Sequence, residues 1–228
     1  MSAPALREQA PRPCYSSARV TQRSKNKPRC YGCGLTPEGC VCALLPKVRF
    51  ATPIAIVQHI RERFKPTNTG RLFANIVEGT ALLPYGMREP PFDPGPLVDP
   101  GIAWRVLYPR EDAPVLDPTE APPPGQKFGY VVLDGTWHQC SRMTRRVPVV
   151  MDLPCVALPP GEPAIWTVRT QHDPRGMSTF EAALRVLELV EGKEATRPVR
   201  EAFALVTARM LYLKGKLRSP DVPAEWHG

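Results

Sequence analysis

No stretch of this 228-residue chain is apolar for long enough to cross a bilayer, and its basic, Pro-rich N-terminus lacks the hydrophobic run of a signal peptide. These absences predict a soluble cytosolic protein without a membrane partner. Internal repeats are missing, and so is any Gly-x-Gly-x-x-Gly, which leaves a Rossmann dinucleotide site unsupported. Acidic residues are scarce in the first 29 positions: Glu8 alone faces Arg7, Arg12, Arg19, Arg23, Lys25, Lys27 and Arg29. That segment carries +6 of the +8 net charge, which leaves about +2 for the other 199 residues. A basic arm on a near-neutral body points to a polyanion, usually nucleic acid, although a solvated tail that binds nothing has the same composition.

The length suits one domain with a real core and a small appendage. Residues 1–29 read as a disordered arm, 30–46 as a metal knuckle, 47–218 as an α/β body and 219–228 as a tail. In the body, Ile54–Gln58 reads as a strand with His59 at its end. A helix is expected over about Gly70–Leu83, with Leu72, Phe73, Ile76, Val77 and Ala81 on its apolar face and Asn68 or Thr69 as N-cap. Residues 84–124 hold twelve prolines, too many for regular helix or a central strand. Ile102–Tyr108 interrupts them as a strand that ends at Tyr108-Pro109. A strand over 128–133, a short helix over Gln139–Arg145 and weaker extended segments at Val147–Met151 and Cys155–Leu158 follow. Ser178-Thr179-Phe180-Glu181 is a capping box opening a helix to Glu191, and a last helix is expected over about Val199–Lys216.

Four of the seven cysteines cluster as Cys30-x2-Cys33-x6-Cys40-x-Cys42. In a cytosolic chain such a cluster asks for a metal rather than disulfides. Gly32 and Gly34 give the first arm the form of a knuckle whose N–H groups turn toward the thiolates. Four thiolates favour tetrahedral Zn²⁺ in a structural role, with an iron–sulfur cluster as the alternative ligand chemistry.

Residues 128–137 carry the richest chemistry. The apolar run Tyr130-Val131-Val132-Leu133 stops at Asp134-Gly135, and Thr136-Trp137-His138 follows. A carboxylate, a hydroxyl, an indole and an imidazole therefore meet at the C-terminal edge of a strand, where α/β folds bind ligands. The plain alternative is a strand stop with a Trp packed beneath it. Asn68-Thr69-Gly70-Arg71 opens a helix, where free N–H groups and an arginine suit an anion, either a carboxylate or an RNA phosphate. Arg142, Arg145 and Arg146 on the short helix, and the basic end of the last helix, are candidates for RNA phosphates.

The knuckle, His59 followed by Asn68-Thr69-Gly70-Arg71-Leu72, Leu133-Asp134-Gly135-Thr136-Trp137-x-Gln139, and Ser178-Thr179-x-Glu181 occur in that order over about residues 28–215. This arrangement resembles the DTW-domain family of tRNA-uridine aminocarboxypropyltransferases. The resemblance implies transfer of the 3-amino-3-carboxypropyl group of S-adenosylmethionine to N3 of a tRNA uridine, on a SPOUT-like α/β body with a C-terminal trefoil knot. It implies Asp134 or His59 as the base, and a donor pocket shaped by Leu107, Tyr108, Pro109, Asp134, Thr136, Trp137, Thr167 and Ser178, with the Ile165–Met177 loop beside it. RNA contacts would come from Asn68, Arg71, Arg142, Arg145 and Arg146. A homodimer is compatible with such folds, but no interface signature is present.

The chemistry is consistent with those residue types. A sulfonium donor releases a neutral leaving group and needs no acid, whereas the imide nitrogen must lose its N3 proton. A positioned base typically supplies about 10²–10⁴-fold for such a step. Two rivals share the sequence features: an RNA methyltransferase on the same scaffold, and a zinc-knuckle RNA-binding protein without catalysis.

Overall fold

The computed structural model describes residues 28–161, 164–168 and 176–217. The basic arm up to residue 27, the tail from 218 and residues 169–175 of the expected donor loop lie outside the described residues.

Among the described residues, five parallel strands form one sheet in the order β2-β1-β4-β3-β5: β1 (Ile54–His59), β2 (Ala81–Tyr85), β3 (Ile102–Leu107), β4 (Lys127–Asp134) and β5 (Cys155–Val156). The helices are α1 (Ile60–Arg63), α2 (Thr69–Ile76), α3 (Trp137–Met143), α4 (Thr179–Val190) and α5 (Lys193–Leu213). Strand alternation divides the core in two. Ile54, Ile56, Tyr130, Val132 and Val156 face α2, α4, α5 and the knuckle; Ala55, Val57, Val106, Val131 and Leu133 face α3 and Leu97. A sheet buried on both faces explains why β1 and β4 read as nearly continuous apolar runs.

Two departures from the sequence reading are instructive. The helix expected to reach Leu83 stops at Ile76, and Ala81–Tyr85 is strand β2. Gly79 turns the chain at φ +83°, a conformation that favours glycine, and the emerging segment pairs with β1. Pro84 is tolerated because β2 is an edge strand. The last helix begins at Lys193, six residues before the expected Val199. Gly192 at φ +92° separates it from α4, and Pro198 lies early in the helix, where the ion pairs Arg197–Glu194 and Arg197–Glu201 (both 3.6 Å) bridge the turns around it. Smaller shifts follow local signals: α3 starts at Trp137, and the segment expected to extend through Met151 instead enters a 3₁₀ turn at Val150–Asp152.

Candidate functional site

The order β2-β1-β4-β3-β5 places β1 and β4 side by side at the centre, with Gln58 and Asp134 as register partners at their C-terminal ends. Both side chains point to the face that carries α2 and α4, continuing the alternation of Ile54, Ile56, Tyr130 and Val132. Asp134 is only 4% exposed. Its Oδ2 accepts hydrogen bonds from Asn68 Nδ2 at 2.6 Å and Gln58 Nε2 at 3.0 Å, and its Oδ1 accepts one from Thr179 Oγ1 at 2.7 Å. Asn68 is the N-cap of α2 and Thr179 the first residue of α4, so two helix N-termini approach one carboxylate. The backbone N–H of Phe180 also reaches Thr69 Oγ1 at 3.5 Å and ties the two helix starts together. Gly70 leaves room for this convergence: a Cβ there would stand 3.0 Å from Asp134 Oδ2 and 3.2 Å from Ile56.

Asn68, expected at an anion-facing surface, is buried, and its amide is committed inside the protein. Its Oδ1 accepts from the Arg71 N–H at 2.7 Å and from Gln58 Nε2 at 3.0 Å. Arg71 is likewise only 8% exposed. One guanidinium nitrogen donates to the Arg63 carbonyl at 3.1 Å, the group lies 4.8 Å from the centre of the Tyr31 ring, and Nε has no hydrogen-bond partner among the described residues. Burial lowers the Arg71 pKa from its ordinary value, and the neighbouring anionic groups oppose that shift.

His59 stands at the end of β1 and caps α1, its Nδ1 accepting from the Arg61 N–H at 3.2 Å. That bond assigns the proton of the neutral ring to Nε2, so the basic lone pair is already engaged. Burial lowers its pKa from 6.5, and the charge of Arg61 lowers it further; Lys65 and Arg142 act in the same direction.

Leu107, Tyr108, Asp134, Thr136 and Trp137 lie at the C-terminal ends of neighbouring strands β3 and β4, with exposed Pro109 following Tyr108. Trp137 is 46% exposed, and its ring centre lies 6.1 Å from that of Tyr108. Thr136 forms a capping box with Gln139: the Thr136 N–H donates to Gln139 Oε1 at 2.8 Å, and the Gln139 N–H donates to Thr136 Oγ1 at 3.3 Å. Ser178 caps α4 in the same manner, with Glu181 as its partner. Glu181 also accepts from the backbone N–H groups of Ile165 and Trp166, anchoring the beginning of the expected donor loop, where Thr167 is exposed. Arg142, Arg145 and Arg146 are exposed on and just after α3.

Gln58 and Thr179 were not singled out by the sequence reading, yet they complete the Asp134 network. The available signal was a glutamine at an inward-facing position of an otherwise apolar strand. The capping box of Thr136 and Gln139 was also legible, in the Thr-x-x-Gln spacing.

The four cysteines form a separate centre. Cys30 and Cys42 Sγ atoms are 3.5 Å apart, Cys33 and Cys40 Sγ atoms 3.7 Å, and all four lie within 4.8 Å of one another. Tetrahedral Zn–S bonds of about 2.3 Å require sulfur–sulfur separations of about 3.8 Å, so the residues fit such an ion. Burial pushes the Cys40 thiol up to about 12, while a hydrogen bond with Cys42 lowers Cys33 to about 5. Four adjacent thiolates therefore need a cation to coexist. The knuckle packs directly on the loop before α2: Gly34, at φ +74°, leaves no space for a Cβ, which would fall 2.0 Å from the Pro66 carbonyl oxygen.

A family model described as the DTW domain matches residues 27–211, taking in the knuckle, the sheet and both long helices. The chain belongs to the DTW domain family. It is also 25% identical over 173 residues to tRNA-uridine aminocarboxypropyltransferase 2 of Macaca fascicularis, an alignment covering 74% of this chain and 58% of that protein. The chain thus spans less than two thirds of the length of this curated relative. No solved structure matches. Among the described residues, no helix is long and apolar enough to cross a membrane.

Proposed function

We propose that this protein transfers the 3-amino-3-carboxypropyl group of S-adenosylmethionine to N3 of a uridine in tRNA. The observation that carries the reading is the Asp134 network at the junction of β1 and β4, inside the span that matches the DTW domain. The reaction forms a bond from uridine N3 to the donor's Cγ, breaks the Cγ–S bond and releases neutral methylthioadenosine. The N3 proton is the only charge left to manage. A carboxylate offers about four lone-pair directions, and three are taken at Asp134 by Gln58, Asn68 and Thr179. The remaining direction, on Oδ1, is the one assigned to the imide N–H, which Asp134 orients and from which it draws the proton toward solvent. His59 supports this edge as the cap of α1.

The half-buried ring of Tyr108 and the exposed ring of Trp137, tilted 57° to each other, supply the apolar surface for the donor, together with Leu107, Pro109, Thr136, Thr167 and Ser178. Arg142, Arg145 and Arg146, with the basic N-terminal arm, meet tRNA phosphates, while Asn68 and Arg71 hold the mouth of the site from within. The four cysteines hold Zn²⁺, whose role is structural because four protein ligands leave no open position. The parallel α/β sheet is compatible with the SPOUT-like body and knotted C-terminal half that the family resemblance implies. The protein carries out this reaction in the cytosol.

The test is incubation with unmodified tRNA and two donors, one labelled in the methyl group and one in the methionine backbone, followed by nucleoside mass spectrometry. Backbone label on uridine is the expected result. Methyl label alone would make the protein a methyltransferase on the same scaffold. Tight tRNA binding without either label would make it a binding module.

A further inference from the structure

Phe64 is 78% exposed, the most exposed large hydrophobic side chain among the described residues. It sits at the C-cap of α1, five residues beyond the end of β1 and four before Asn68, on the segment joining the central strand to α2. A lone exposed phenylalanine needs no explanation, but two features set this one apart.

The first is its mounting. The residues around Phe64 are fastened by backbone: the Arg63 carbonyl accepts from the Arg71 guanidinium at 3.1 Å, the Lys65 carbonyl accepts from the Asn68 N–H at 3.0 Å, and the Lys65 N–H donates to the Glu62 carbonyl at 3.0 Å. Glu62 is buried and paired with Lys65, and the Pro66 carbonyl abuts Gly34 of the knuckle. The ring is thus presented to solvent on a fixed support, so little conformational entropy is lost when a partner covers it.

The second is the charge around it. Arg63 lies 5.6 Å from the Phe64 ring centre, and Arg61, Lys65 and Arg142 all bear on neighbouring His59 at the end of β1. An exposed aromatic ring with Arg63 against it and exposed Arg61 three residues before it, beside the C-terminal edge of the sheet, has the composition of a surface for single-stranded nucleic acid: the arginines follow the phosphates and the ring stacks on a base.

We propose that Phe64 is a base-stacking platform for a nucleotide next to the target uridine, with Arg61 and Arg63 on its phosphates. This rests on the tRNA-uridine reading above. The platform gives the enzyme a hold on an unstacked loop that is independent of the donor pocket.

The test compares the full chain with Phe64→Ala, Phe64→Leu and Phe64→Trp. Affinity for unmodified tRNA and for a single-stranded uridine-rich oligonucleotide is measured by fluorescence anisotropy across a salt series, and donor affinity by calorimetry. The expected result for Phe64→Ala is about tenfold weaker RNA binding with an unchanged salt slope, since a ring contacts no phosphate. Phe64→Trp should restore the affinity and Phe64→Leu should not, while donor affinity and Tm stay level in all three. Binding by Phe64→Ala within twofold of the parent overturns the platform and leaves the tRNA reading standing. Failure of the parent chain to bind either RNA overturns both.

Discussion

Asn68 Nδ2 lies 2.6 Å from Asp134 Oδ2, so the cap of α2 and the last residue of β4 form one unit. Gln58 completes it, its Nε2 standing 3.0 Å from both Asn68 Oδ1 and Asp134 Oδ2. Segments 66 residues apart in sequence are thereby locked at the junction of β1 and β4, with α4 joined through Thr179. The site and the fold share the same atoms, and substitutions at its centre should therefore register in both activity and stability.

Asp134→Ala is expected to abolish turnover and to destabilise the protein. It strands the donors of Gln58, Asn68 and Thr179, and an unsatisfied buried donor costs about 1–3 kcal/mol. Partial rescue by water leaves an expected net loss of roughly 3 kcal/mol. Asp134 read from sequence as a base at a strand end predicts loss of turnover with folding and tRNA affinity largely intact; its burial and its three donors add a loss of stability. Denaturant unfolding with matched kinetics checks it, and a variant as stable as the parent would show that the network does not hold the two helix starts.

The α/β class, β4, the capping box of α4 and the spacing of the cysteines were legible because each depends on short-range pattern. What escaped was decided by tertiary neighbours. Ala81–Leu83 looks like the last turn of a helix until β1 offers an edge to pair with. Asn68 and Arg71 have the composition of a surface anion site, and only the packing of the knuckle and the reach to Asp134 draw them inside. Gln58 and Thr179 belong to the site through partners 76 and 45 residues away, which no local pattern encodes.

The thiol geometry predicts one zinc ion per chain, and its removal should be felt well beyond the knuckle. Cys30 and Leu35 are fully buried, Tyr31 faces Arg71, and Gly34 is pressed against Pro66. Treatment with a strong chelator should release one equivalent of zinc, make four thiols reactive and lower Tm by on the order of 10 °C. Elemental analysis, thiol titration and calorimetry on the same sample provide the check. An unchanged Tm with all four thiols free would mean that the cluster contributes nothing to stability, and iron with sulfide in place of zinc would replace the ion assignment.

His59 gives the protein an acid-sensitive joint. Burial and the charges of Arg61, Lys65 and Arg142 hold its folded-state pKa below the ordinary 6.5, with Glu62 opposing them. Because the unfolded chain takes up the proton more readily, the stabilisation is complete above about pH 6.5 and is lost as pH falls from there through the folded pKa. Protonation at Nδ1 also removes the acceptor for the Arg61 N–H, so the cap of α1 is lost in the same step. Asn is a good N-cap that does not titrate in this range. His59→Asn should therefore match the parent near about pH 8 and lose less Tm than the parent on acidification to about pH 5. Such a variant should also retain most of the transfer rate, because the ring's lone pair serves the cap rather than the nucleophile. Parallel pH dependence of Tm in the two proteins would remove His59 as the joint, and loss of transfer by His59→Asn with normal stability would restore the imidazole as a base.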